Sequence, residues 1–202
     1  MQLYYASASP FARKVMVTLH ETGQLDDVEL LTATGTPLDA TDMPTAHNPL
    51  GKLPALTRPD GPAIYDSRVI CRYLDARADS GLYPDRTLWE TLTLEATADG
   101  IMDAAVLMVY EGRCRPENLQ SADWVNGQWD KISRALDAIT TRWMSHLAGP
   151  LDMSHIAIGS ALGYLDFRHD DRNWRKGRDA LDDWFASFAE RPAMKATRPV
   201  AV

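Results

Sequence analysis

The stretch YYASASPFARKV, residues 4–15, places two serines, Ser7 and Ser9, between an apolar run and a proline that opens a helical pattern. A helix start exposes unpaired N–H groups at the positive end of its dipole and therefore favours an anion. Serine is also a natural N-cap, so the hydroxyls suit either a ligand or the helix itself. A second such junction is Asp66-Ser67, again an acid and a hydroxyl at the opening of a helical pattern. Between them lies Lys52-Leu53-Pro54, where a proline interrupts a strand-like run and so marks an edge or a special turn. None of the five histidines falls at a metal-ligand spacing, such as two on one helical face with a third nearby. Cys71 and Cys114 have neither paired spacing nor neighbouring ligands, so no disulfide framework or zinc site is expected, and a reducing cytoplasm fits.

Those residues need elements to hold them. The chain has 202 residues, 45% of them hydrophobic, enough for one large or two small domains with real cores. The net charge of −7, with no basic stripe, argues against nucleic acid and for small-molecule or protein partners. No charged leader with an apolar stretch and no run long enough to span a bilayer is visible, so a cytoplasmic protein without a membrane segment is expected.

Residues 2–6 read as a strand; Phe11, Val15 and Leu19 recur at helical spacing after Pro10, and Gly23 stops the helix. A second strand falls at 28–31, and residues 52–67 read as strand, Pro-Asp-Gly turn and strand. A helix from Asp66 follows. After the Gly- and Pro-bearing segment 80–87, helical patterns fill roughly 87–112, 118–147, 153–168 and 178–190. The expected architecture is a small α/β unit with a mixed parallel and antiparallel sheet, joined to an all-helical unit.

In that order, SPFARKV (9–15), NPLGKLPAL (48–56), YDSRVICRYLD (65–75), GSALGYLDFR (159–168) and the tail WFASFAERPAMKAT (184–197) resemble the cytosolic glutathione transferases, and most of all bacterial members with serine at the helix start. The resemblance implies a thioredoxin-like N-terminal domain with a mixed four-stranded sheet over 1–79, an all-α C-terminal domain over 87–202, a homodimer, and glutathione as co-substrate without a metal. It implies Ser9, with Ser7 as the alternative, beside the glutathione sulfur. It also implies a cis Leu53–Pro54 bond whose Leu53 backbone pairs with the cysteinyl part, Lys52 within reach of the glycine carboxylate, and Asp66 with Ser67 on the γ-glutamyl group. The chemistry is economical. A free thiol with a pKa of about 8.5 is only about 7% ionised at pH 7.4, and lowering that pKa by about two units takes roughly 2.7 kcal/mol. A helix start with a hydroxyl donor suits that task, and no general base is required because the proton leaves to solvent.

The expected reaction is attack of the thiolate on a small hydrophobic electrophile, an alkyl or aryl transfer of the detoxification kind. Met102, Val106, Tyr110 and Arg113, near one helical face, are the candidates for the electrophile pocket. Alternatives are a non-enzymatic or regulatory glutathione-binding protein, or a glutathione-dependent reductase or lyase. A reductase needs a protein thiolate, and position 9 is serine. Asp152 stands where a helix cap is expected, but His155 replaces the acid of a capping box, so a somewhat less stable helix start is expected there. Gly159 and Gly163, four residues apart, mark a face that packs closely on a neighbour.

Overall fold

A computed structural model describes residues 1–200 of the chain. The N-terminal half contains β1 (Gln2–Tyr5), α1 (Pro10–Glu21), β2 (Glu29–Thr32), β3 (Ala55–Arg58), β4 (Gly61–Ile64) and α2 (Ser67–Ala78). The four strands form one sheet in the order β2-β1-β3-β4. β1 runs parallel to β2, as the α1 crossover requires, and antiparallel to β3. Leu3 is set opposite Leu30 on one side and Leu56 on the other, and is fully buried. β3 and β4 pair across Pro59-Asp60, the turn the sequence predicts.

Each helix of this half begins on a side-chain cap. The Ser9 hydroxyl accepts the Ala12 N–H at 3.2 Å, with Pro10 in the first turn where its missing N–H costs nothing. Asp66 Oδ1 accepts the Arg68 N–H at 3.0 Å. α1 closes at Thr22 and Gly23, whose φ of 67° is a conformation glycine adopts freely.

The second half is all helix: α3 (Leu88–Cys114), α4 (Ala122–Arg142), α5 (Met144–Leu147), α6 (Met153–Arg168), α7 (Asp179–Phe188) and α8 (Pro192–Ala196). The span expected as one helix over 118–147 is two, broken at Trp143 and preceded by a single 3-10 turn at Glu117–Leu119. The Gly- and Pro-bearing segment after residue 80 is packed against the helical half: Leu82 and Tyr83 are buried, and the Leu82 carbonyl accepts the Met153 N–H at 2.9 Å.

α6 is buried on every side from Met153 to Leu165, the pattern of a central helix. Its glycines admit side chains: Phe188 sits against Gly159, and the Arg13 guanidinium occupies the space a Cβ at Gly163 would take. Arg13 then donates to the Met194 carbonyl at 3.1 Å, tying α1 to α8.

The α6 start corrects the expectation about its cap. Asp152 accepts from the Ser154 N–H, and His155 Nδ1 lies 3.3 Å from the Asp152 backbone nitrogen and 2.8 Å from its Oδ1, so the ring takes the place of the carboxylate in a capping box. Thr91 Oγ1 and His146 Nε2 add hydrogen bonds to Oδ2 at 2.9 and 2.8 Å. The fold thus gathers His146, Asp152 and His155 into one cluster that sequence spacing did not reveal; their ligand atoms all lie within 4.8 Å of one another.

Candidate functional site

The three motifs meet. Lys52, Leu53 and Pro54 from the loop before β3, and Asp66 and Ser67 from the start of α2, line a single cavity of about 130 Å³. Phe11, in the first turn of α1, joins them. The Leu53–Pro54 peptide is cis, as is Tyr65–Asp66. Asn48 shapes the loop, donating from Nδ2 to the Lys52 carbonyl at 2.8 Å and accepting the Leu50 N–H at 3.1 Å. Because this asparagine is buried, its hydrogen bonds fix where Lys52 and Leu53 stand.

Ser9 precedes Phe11 by two residues, and Ser7 lies in the turn leading to it; both are half-buried, and neither lines the cavity directly. The Ser9 hydroxyl accepts from Ala12 but donates to no protein group among the described residues, so its proton is free for a ligand at the helix start. Capping and ligand contact are therefore compatible roles for one hydroxyl.

The electrostatics of the cavity include partners that sequence reasoning missed. Arg68 reaches Asp66 Oδ2 at 3.1 Å and approaches Asp99 Oδ2 at 3.6 Å. Burial raises the Asp66 carboxyl, but the Arg68 hydrogen bond and charge outweigh it and hold it below its usual value. Asp99 and Asp103 come from α3 in the other half and line the same cavity. Burial, with the Asp99 charge behind it, pushes the Asp103 carboxyl up. Asp99 Oδ1 accepts from the fully buried Lys14 at 2.7 Å, and Lys14 also reaches Glu95 at 3.1 Å. Two cations, Lys52 and Arg68, and three carboxyls, Asp66, Asp99 and Asp103, thus face one small space, an arrangement suited to a ligand carrying both charges. The only sequence signal for Lys14, Glu95 and Asp99 is charge at positions a helix buries.

The four residues expected on the electrophile side do not line this cavity. Met102 is fully buried in the core, Val106 and Tyr110 are half-buried, and Arg113 is exposed.

A four-stranded mixed sheet flanked by helices, cis-proline before β3 and an all-helical second half define a glutathione-transferase-like thioredoxin fold. The family model for the glutathione S-transferase N-terminal domain matches residues 8–77, and that for the C-terminal domain matches 122–187. A glutathione transferase family member from Pseudomonas fluorescens Pf-5, solved with bound glutathione, is 44% identical, with 99% of each chain covered and a TM-score of 0.96. A glutathione S-transferase from Methylobacillus flagellatus, solved with glutathione bound, is 36% identical over 98% of this chain and 99% of that one, at a TM-score of 0.84. The uncharacterized GST-like protein YibF of Escherichia coli K12 is 31% identical over 98% of both chains. The chain belongs to the glutathione S-transferase family.

Proposed function

We propose that this protein is a serine-type glutathione transferase that binds glutathione in the cavity between the Lys52–Pro54 loop and the start of α2 and holds its sulfur as thiolate at the start of α1. The convergence of Lys52, Leu53, Asp66 and Ser67 on one cavity carries the reading. In it, Asp66 faces the ligand's ammonium, while the buried Ser67 at the first position of α2 receives the γ-glutamyl carboxylate beside the helix N–H groups. The Leu53 main chain pairs with the cysteinyl unit in the manner of an added strand, and Lys52 takes the glycine carboxylate. The Ser9 hydroxyl donates to the sulfur, with Ser7 as the nearest substitute. Catalysis then consists of thiolate stabilisation and positioning beside a hydrophobic electrophile, for which Val106, Tyr110 and Arg113 remain the candidates, Met102 being closed off in the core.

A glutathione-dependent reductase is the weaker reading, because it needs a protein thiolate. Cys71 is fully buried, and that burial pushes its thiol up to about 12, too high to ionise at neutral pH. A homodimer in the cytoplasm completes the proposal: Leu50, Val69 and Trp89 leave apolar side chains exposed on the loop before β3, on α2 and on the first turn of α3. Calorimetric titration of glutathione, followed by an electrophile panel, tests the reading. Saturable binding that Asp66→Ala weakens about tenfold to a hundredfold is expected from a charge-assisted contact, whereas unchanged affinity in that variant would remove Asp66 from the site.

A further inference from the structure

Arg113 and Arg168 each stand in the last turn of a helix, α3 and α6, where a cation suits the negative end of the dipole. That accounts for their charge but not for their surroundings. Among the described residues, every other arginine that is not exposed is tied to a carboxylate, amide or carbonyl oxygen, as Arg13 is to Met194, Arg172 to Asn126 and Arg178 to Asp137. The half-buried Arg168 has no such partner; it lies over the Phe167 ring at 4.1 Å, beside the Tyr164 hydroxyl. Its Nε is buried and unpaired, so contact with a ligand falls to the terminal nitrogens. The acid two residues before each arginine is engaged elsewhere, Glu111 with Arg115 and the Ser121 N–H, Asp166 with Arg175 and Trp174.

The two arginines belong to one neighbourhood. Burial pushes the Tyr164 hydroxyl up to about 12, Arg168 and Arg113 pull it down by their charge, and Tyr110 adds to the rise. Two cations about one tyrosine, with their neighbouring acids spent, repel each other until an anion joins them.

Helix register places this cluster ahead of the start of α1. α3 and α6 run side by side in the same direction: Thr91 meets Asp152 at one end, and His169 Nε2 donates to the Ala105 carbonyl at 2.9 Å at the other. α1 runs against them. Lys14 meets Glu95 and Asp99, Phe11 shares its cavity with Asp99 and Asp103, and Arg13 sits against Gly163. One further turn back toward Ser9 and Ser7, about 5.4 Å, therefore leads along α3 past Asp103 to Val106 and Tyr110, and along α6 from Gly163 to Phe167 and Arg168.

We propose that the electrophile carries a carboxylate, which Arg168 receives with Arg113 at the outer edge, while Tyr110 and Phe167 flank its apolar body. This rests on the glutathione-transferase reading above and names the substrate class of that site. In turnover the thiolate forms the carbon–sulfur bond as the leaving group departs with its electron pair, and the carboxylate takes no part in the bond exchange.

Calorimetry with glutathione, S-benzylglutathione and S-(4-carboxybenzyl)glutathione is the test. The carboxylated conjugate should bind about tenfold or more tightly than the plain one, the scale of a charge-assisted hydrogen bond. Arg168→Gln should erase that preference while affinity for glutathione and for the plain conjugate holds. Arg113→Gln, at an exposed position, should reduce the preference, and it serves alone should Arg168→Gln fold poorly. No binding of glutathione would remove the transferase reading and the carboxylate site with it. Glutathione bound, but with equal affinity for the two conjugates, would overturn the carboxylate site alone and leave two solvated arginines. A preference that survives in every folded variant would put the carboxylate on other residues and overturn the assignment.

Discussion

At the scale of single residues, the account depends on what Ser9 and Asp152 do with their oxygens. Ser9 accepts from Ala12 and keeps its own proton for a ligand. Ser9→Ala should therefore lower the glutathione-transfer rate near neutral pH about tenfold or more through lost thiolate, while the lost cap costs only about 1 kcal/mol in denaturant unfolding. An unchanged rate would shift the role to Ser7. Asp152 presents the opposite case, an acid spent on structure. Burial raises its carboxyl, yet the hydrogen bonds from His155, Ser154 and Thr91 prevail and hold it far below its usual range. A carboxyl depressed on folding stabilises the protein above its unfolded pKa and loses that contribution as pH falls. Asp152 should thus support the fold above about pH 4 and release that support in acid. Asp152→Ala should cost about 3–5 kcal/mol by thermal or denaturant unfolding, and its stability should vary less between neutral pH and acid than that of the parent.

Elements carry the next level, and the contact between the two halves is their clearest test. Lys14 on α1 is fully buried and reaches both Glu95 and Asp99 on α3. Burial lowers its pKa, but the two carboxylates more than reverse this, so Lys14 is charged at neutral pH. Removing one member of a buried ion cluster strands the others. Lys14→Met should destabilise by about 3–5 kcal/mol, and because Asp99 also faces Arg68 it should weaken glutathione binding too. Stability lost without any change in affinity would separate the interdomain cluster from the site.

The elements themselves were largely legible in the sequence: Pro10 and Gly23 bracket α1, Asp66 opens α2, and Pro59-Asp60 turns the hairpin, because caps and turns are local signals. Lys52, Leu53, Pro54, Asp66 and Ser67 were legible as motifs, and the fold brings them to one cavity. Arg68, Asp99 and Asp103 were missed there, since their relevance depends on packing between distant helices, which periodicity does not encode. The break at Trp143 carries no Pro or Gly to signal it, and at His155 a ring nitrogen stands where a carboxylate usually does.

At the scale of the whole molecule, one binding space is built from both halves, α3 supplying the acids opposite α2. The exposed Leu50, Val69 and Trp89 lead to a further expectation. Sedimentation at micromolar concentration should show a dimer, and Trp89→Asp should shift it toward monomer; a monomeric parent would contradict that part of the proposal. The central claim concerns ionisation of a bound sulfur, and it is read most directly by titrating the glutathione thiol on the protein through its ultraviolet thiolate absorbance. The bound thiol should titrate about two units below the ~8.5 of a free thiol, and Ser9→Ala should return it most of the way. A bound thiol that titrates like the free one would contradict the account.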